Sequence, residues 1–268
     1  MRLCRAILAM VAIWAVVPVS AAQAQAVDRC LALSQVPSLI QRASLRPTKL
    51  SQSEVQLTFI GHATWLIESA GGIRIATDYN DYVRPAIIPE IATMNRAHTT
   101  HYTMFPDPGI THVLRGWTND GTPAKHDLTL ADVRVRNVAT NIRNFSGGFV
   151  PHGNSIFIFE LAGMCIGHLG HLHHTLTDEQ IGHIGQLDVV MVAVDGSYTM
   201  DVAGVVETLK TLRARLILPM HYFNHMTLDR FLGSIGSDFP VEIAKEPTLV
   251  VSQATLPPEP KVLVLPGY

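Results

Sequence analysis

The stretch 164–174, Met-Cys-Ile-Gly-His-Leu-Gly-His-Leu-His-His, constrains this chain more than any other. It sets His168, His171, His173 and His174 within seven residues, directly after the apolar, β-prone runs 155–160 and 163–166. A strand therefore delivers imidazoles into a loop loosened by Gly167 and Gly170. Imidazole is the commonest protein ligand for zinc-like ions, and glycine lets the backbone bring two rings to one centre. A His-rich surface turn is the plainer reading of such a tract. Two more groups weigh against it: His98 and His101 together on another loop, and His221 at the end of a further apolar run.

The chain opens with Arg2 and Arg5, an apolar run over 6–17, and the small-residue pattern of Ala22, Ala24 and Ala26. That order is the pattern of a secretory leader, and the run is shorter than the roughly 20 residues a membrane helix needs. The expected organisation is a signal peptide over 1–26, an N-terminal arm over 27–54, a main domain over 55–247 and an extended tail over 248–268 packed on it. The expected location is periplasmic or secreted. Without Arg2 and Arg5, 18 of the 20 basic side chains face 22 acidic ones, a balance with no nucleic-acid footprint. Cys30 and Cys165 remain after the leader; they can pair in an oxidising compartment, though their spacing says nothing about geometry.

Residues 55–60, 64–68 and 72–77 are β-branched and aromatic runs separated by Gly61 and Gly71-Gly72, which predicts an antiparallel meander ended by Asp78. Short strands follow at 91–94 and 111–114, and 133–138 alternates as a strand with one solvated face. A loop is expected over 141–153, because it holds Gly147-Gly148 and Pro151-His152-Gly153. The second half changes rhythm. Thr177 with Gln180 forms a capping-box pattern that opens a helix to about Ile184. Residues 188–194 and 216–221 read as strands covered on both faces, with helices at 201–213 and from Thr227.

Several of these segments together resemble the metallo-β-lactamase superfamily: Thr58-Phe-Ile-Gly-His-Ala-Thr-Trp-Leu-Ile-Glu, Ile75-Ala-Thr-Asp78, His168-Leu-Gly-His171, Val194-Asp-Gly-Ser-Tyr-Thr-Met-Asp201 and Pro219-Met-His221-Tyr. The similarity is to the lactonase-like and phosphodiesterase-like branch and spans about 55–229. It implies an αββα sandwich, an α/β fold of mixed sheets with outer helices, whose metal centre sits on strand-end loops at the sandwich edge. The family's His-x-His-x-Asp-His loop corresponds here to Arg96-Ala-His98-Thr-Thr100-His101, which lacks the first histidine and the acid, and His171 stands where the family has a bridging aspartate. His152 is the one histidine available for the family's intermediate ligand, in poor register.

The resemblance implies one zinc ion, or another divalent transition metal, held by His101, His171 and His221, with His98 as a fourth ligand or a proton-handling neighbour. Three imidazoles with an open position hold a water whose pKa falls to about 7. His168 is an alternative to His171. His98, Arg96 and Asp201 are the candidate catalytic groups, Arg96 because a guanidinium forks onto carboxylate or phosphate. Asp201 is first of all a helix cap. His62 is a supporting group or a core histidine, and Asp78 orients the His98 loop. Tyr102 and Tyr222 are oxyanion donors or packing aromatics. The expected activity is hydrolysis of a small ester, lactone, amide or phosphodiester. The alternative is a non-catalytic protein that uses the same fold to bind a metal or a partner.

Overall fold

The computed structural model describes residues 30–31, 40–41, 50–144, 146–236 and 238–267. The expected leader and most of the expected arm lie outside them. In chain order the strands of the first half are β1 (Ile40–Gln41), β2 (Val55–Gly61), β3 (Thr64–Ser69), β4 (Arg74–Ala76), β5 (Ile91–Met94), β6 (His112–Arg115), β7 (Asp127–Leu130), β8 (Val133–Arg143), β9 (Phe149–Leu161) and β10 (Met164–His168). There follow α1 (Asp178–Ile184), β11 (Val189–Ala193), α2 (Val202–Leu212), β12 (Leu216–Met220), α3 (His225–Ile235), β13 (Val241–Ile243), β14 (Thr248–Val251) and β15 (Lys261–Val264).

Among the described residues these strands form a six-stranded sheet, β14-β2-β3-β4-β5-β6, and a nine-stranded sheet, β1-β7-β8-β9-β10-β11-β12-β15-β13. Alternation along β2 buries Val55, Leu57 and Phe59 on one face. They meet Trp65 and Ile67 of β3 and, from the other sheet, Val133, Val135, Phe157, Phe159, Ile166, Met191 and Leu218. β11 and β12 do not alternate because both their faces are covered. Their other face, with Val190, Val192 and Ile217, takes Val205, Leu209 and Leu212 of α2 and Leu228, Phe231 and Ile235 of α3. Each buried aliphatic side chain of this kind contributes about 1.5–3 kcal/mol.

The αββα class is the one observed, with one difference in its outer layers. The described helices on the nine-stranded sheet have no counterpart on the six-stranded sheet. Ala76, Ala92 and Met94, whose strand neighbours Ile75 and Ile91 face the inner core, pack outward against Tyr79, Ile110 and Trp117 from loops.

Two boundaries differ from expectation. Pro151-His152-Gly153 is not loop but part of β9, which pairs with β8 through a register shift at Thr140/Ile142. His152 takes a left-handed φ of 55° there, and the connection shrinks to 144–148, where Asn144 Oδ1 accepts from the amides of Ser146 and Gly148. A bulge absorbs what the Pro and Gly would otherwise break. The tail over 248–268 is no appendage either: β14 adds to β2 at the edge of one sheet, and β15 lies between β12 and β13 in the other. Its sequence is short and proline-rich, so only sheet pairing reveals the role.

Cys30 and Cys165 form a disulfide with Cα atoms 5.8 Å apart, tying the N-terminal segment to β10. Closing so long a loop stabilises the fold by restricting the unfolded chain. Replacing both cysteines with alanine is expected to lower the unfolding free energy by about 2–5 kcal/mol, read from urea denaturation of the oxidised protein; equal midpoints for the two proteins would contradict it.

Candidate metal centre

Three strands running in parallel sense within their sheets end at the same edge of the sandwich. β5 leads into the loop bearing His98 and His101, β10 into the loop bearing His171, and β12 directly into His221. The backbone is held in unusual shape to do this. His221 and His62 both have left-handed φ, 56° and 51°, and the His221 amide donates to the His62 carbonyl at 2.6 Å. Such conformations cost free energy and cluster where surrounding structure imposes them, commonly at functional sites. Gly170, with φ +59°, lets the histidine loop pass over Asn95 and Asn154; a Cβ there would sit 2.4 Å from Asn95 Nδ2 and from Asn154 Oδ1.

The imidazoles converge. One ring nitrogen from each of His98, His101, His171 and His221 lies within 4.8 Å of all the others. His101 Nε2 and His221 Nε2 are 3.1 Å apart, and His98 Nε2 and His171 Nε2 are 3.0 Å apart. A tetrahedral ion with nitrogen ligands at about 2.0–2.1 Å needs neighbouring nitrogens about 3.3 Å apart, a spacing that these two pairs approach. His101, His171 and His221 are buried, and His98 is half-buried on the open side.

The opposite ring nitrogens decide what faces the centre. His101 Nδ1 donates to Asp78 Oδ2 at 2.6 Å, and His221 Nδ1 donates to Asp195 Oδ1 at 3.1 Å. Where both rings are neutral with those protons on Nδ1, the Nε2 atoms turn lone pairs toward one another at 3.1 Å, an arrangement that a cation or a proton shared between them relieves. This is the carboxylate–histidine support that metal ligands commonly have, and the donor set fits a divalent transition metal. His98 Nδ1 contacts the Thr100 hydroxyl at 2.7 Å, and that hydroxyl contacts His62 Nε2 at 2.9 Å. His171 Nδ1 meets His173 Nε2 at 2.6 Å, while Arg143 Nε donates to His173 Nδ1. The His98–His171 pair can share a proton, which an incoming ion displaces.

Burial shapes the charge. It drives His101 and His171 well below the ordinary histidine range, helped by neighbouring imidazoles, and lowers His98 and His168. His62 falls to about 3 and His173 to about 4 for the same leading reason. Burial also raises Asp78 to about 6. Asp195 feels the same push, yet hydrogen bonds from His221, Thr199 and the turn amides hold it well below the carboxylate range. A divalent ion against the Nε2 atoms favours the ionised form of both acids.

The structure thus brings together all four residues expected as ligands and sorts the remaining candidates. His168 is occupied: Nε2 donates to the Ala63 carbonyl at 2.9 Å, and Nδ1 accepts from the Gly170 amide. His152 stays outside the cluster on β9. Asp78 orients the loop that bears His98, as expected, through Asn95 at its start and His101 at its end. Asp201 is exposed, and its Oδ1 accepts from the Gly204 amide at the start of α2. Asp195 reaches His221 instead, so the acid of that turn is six residues earlier than the expected catalytic one. Arg96 is exposed, its backbone amide bonded to Gly153. Tyr102 packs against Trp117, and Tyr222 Oη donates to the Leu265 carbonyl, so both are structural.

Sequence reasoning passed over Thr100, Asn95 and Asn154. Thr100 was visible as the substitute for the resembled motif's acid. The asparagines carried no signal: Asn95 Nδ2 donates to Asp78 Oδ1 while its Oδ1 accepts from the Ser155 amide. Asn154 Oδ1 accepts from the His171 amide.

A two-sheet sandwich with histidines gathered on strand-end loops at one edge is the architecture of a metallo-β-lactamase-fold protein. Residues 56–221 match the family model for the beta-lactamase superfamily domain, and the chain belongs to that family. It is similar to a UPF0173 metal-dependent hydrolase of Thermoplasma volcanium, 33% identical over 85 residues, covering 32% of this chain and 37% of that protein. A second such protein, from Thermoplasma acidophilum, is 32% identical over 92 residues, covering 34% and 40%. The chain therefore matches about two fifths of the length of these curated relatives. A solved structure of a candidate Zn-dependent hydrolase of the metallo-β-lactamase superfamily from Thermotoga maritima superposes with a TM-score of 0.57 at 26% identity, over 79% of this chain and 98% of that one. The metallo hydrolase Igni18 of Ignicoccus hospitalis shares the fold, with a TM-score of 0.51 at 19% identity over 80% and 97%.

Asp78→Asn is expected to weaken binding of an added divalent metal about 10–100-fold in competition with a chelator dye; unchanged affinity would remove the carboxylate from the site's support. The chelator-stripped protein should also lose stability as pH falls below about 6.5. Imidazoles whose folded pKa is depressed bind protons mainly in the unfolded chain, so their contribution is present above the unfolded value and lost below it. Asp78, raised to about 6, opposes this, since its contribution is lost as pH rises through 6, but six depressed histidines outweigh one acid. Thermal unfolding between pH 7.5 and 5.5, as round values about one unit either side of the ordinary histidine pKa, measures the slope; a flat profile would contradict it.

Proposed function

We propose that this chain is an exported metal-dependent hydrolase with a single zinc, or another divalent transition metal, held by His98, His101, His171 and His221. The observation that carries the reading is the convergence of one ring nitrogen from each of the four histidines within 4.8 Å of the others, with Asp78 and Asp195 behind His101 and His221. Metal-dependent hydrolases among the relatives support the chemistry, and the Cys30–Cys165 disulfide supports an oxidising, periplasmic or extracellular location. No described helix is long and apolar enough to cross a membrane.

A divalent ion in such a set supplies Lewis acidity and a water nucleophile at neutral pH. The chain's own residues do the rest. Asp78 and Asp195 fix the ring orientation of His101 and His221. His98 is half-buried and has a neutral hydroxyl as its partner, so it would hold such an ion least firmly of the four, on the side open to a small ester, lactone, amide or phosphodiester. Thr100 and His62 continue from His98 as a line of neutral groups able to pass a proton. Arg96, exposed at the start of the same loop, is available to an anionic group of the substrate.

A second reading has its own observation. Four imidazoles with no carboxylate among them can fill a tetrahedral site completely, as in structural zinc centres, and the chain would then bind a metal or a partner without catalysis. Zinc content and hydrolysis of p-nitrophenyl acetate and bis-p-nitrophenyl phosphate separate the two. One zinc per chain is expected, with turnover that falls to the level of the metal-stripped protein in His171→Ala. Zinc binding without turnover would establish the second reading, and two tightly held ions would overturn the single-metal centre.

A further inference from the structure

The rim of the histidine cluster carries a feature that the metal reading leaves unused. Phe223 lies two residues after His221 and is 51% exposed; Tyr198, on the turn that follows Asp195, is 63% exposed. The two rings meet edge to face, with centroids 5.4 Å apart and planes at 77°. Phe223 also stands 5.4 Å from the His221 ring and 6.0 Å from the His62 ring. Two large aromatic side chains are thus kept at the surface beside a group of polar imidazoles, although burying either would be favourable.

The turn that carries Tyr198 is held by the same carboxylate that orients a proposed ligand. Asp195 Oδ1 accepts from His221 Nδ1, while Asp195 Oδ2 accepts from the amides of Ser197 and Tyr198 and from the Ser197 hydroxyl. Arg230 Nη2 donates to the Asp195 carbonyl, which ties the turn to α3. The Tyr198 turn and His221 therefore share one anchor, and Phe223 follows His221 by two residues and meets the His221 and Tyr198 rings.

We propose that Phe223 and Tyr198 form an aromatic wall that selects small substrates carrying a flat apolar group, an aryl ring above all, next to the bond to be cleaved. The proposal rests on the hydrolase reading above. An aryl ring entering beside His221 meets two rings already set edge to face, a geometry that aromatic groups prefer. A substrate with only a methyl group at that position leaves both rings in water.

Isothermal titration of the zinc-loaded full chain with benzylphosphonate and with methylphosphonate tests this without turnover. The two probes share an anionic head and differ in the ring. Benzylphosphonate is expected to bind about tenfold more tightly, a ratio that falls to about twofold or less in Phe223→Ser and in Tyr198→Ser. Phe223→Trp should keep the preference, which a merely structural role for the ring would not predict. Zinc content is measured on each variant, and both positions are exposed enough for the fold to survive. Equal affinities on a fully zinc-loaded chain would overturn the wall and leave the metal centre standing. A chain that takes up no zinc would overturn the metal reading, and this inference with it.

Discussion

Two buried carboxylates govern this structure. Asp78 and Asp195 each accept a hydrogen bond from Nδ1 of a buried histidine, His101 and His221, and thereby turn the two Nε2 atoms toward one point. Neither acid is near the other in sequence, and neither ring is near the other; four separate strand ends must arrive together for the arrangement to exist. A cation or a shared proton relieves the repulsion between their lone pairs, and the low polarity of the surroundings makes that relief large compared with the same contact in water.

The sandwich supplies the rigidity this requires. β5, β10 and β12 are buried along their lengths, so the loops that follow them start from fixed positions. Asn95 and Asn154 then lock the loops to each other through the backbone of Ser155 and His171. Asp195 does two things at once, holding His221 and shaping the turn that presents Tyr198. His221 and the turn that carries Tyr198 are consequently parts of one hydrogen-bonded body.

Much of the fold was legible in the chain. Alternation in β2 and its absence in β11 and β12 report which faces are covered, and the Thr177–Gln180 capping box is formed as its spacing predicts. The bulged continuation of β9 through Pro151-His152-Gly153 was not legible, because local breakers point to a loop and only the long pairing with β8 overrides them. The sheet roles of β14 and β15 were hidden for a related reason, since a strand of four residues owes its existence to its neighbours. In the site, the four converging histidines were readable from residue type and family resemblance. Asp195 in place of Asp201 was not: two acids flank one turn, and spacing alone does not say which points inward.

The sequence by itself determined the chemical inventory, a histidine-rich chain of β-prone runs with an apolar core and few competing acids near its ligand loops, because residue type and periodicity are local properties. Tertiary structure alone decided which nitrogens face one another, which carboxylate stands behind each ring and which aromatics border them. Those facts depend on distances between segments as far apart as His101 and His221, which no local pattern encodes and which the closing of two sheets on one core sets.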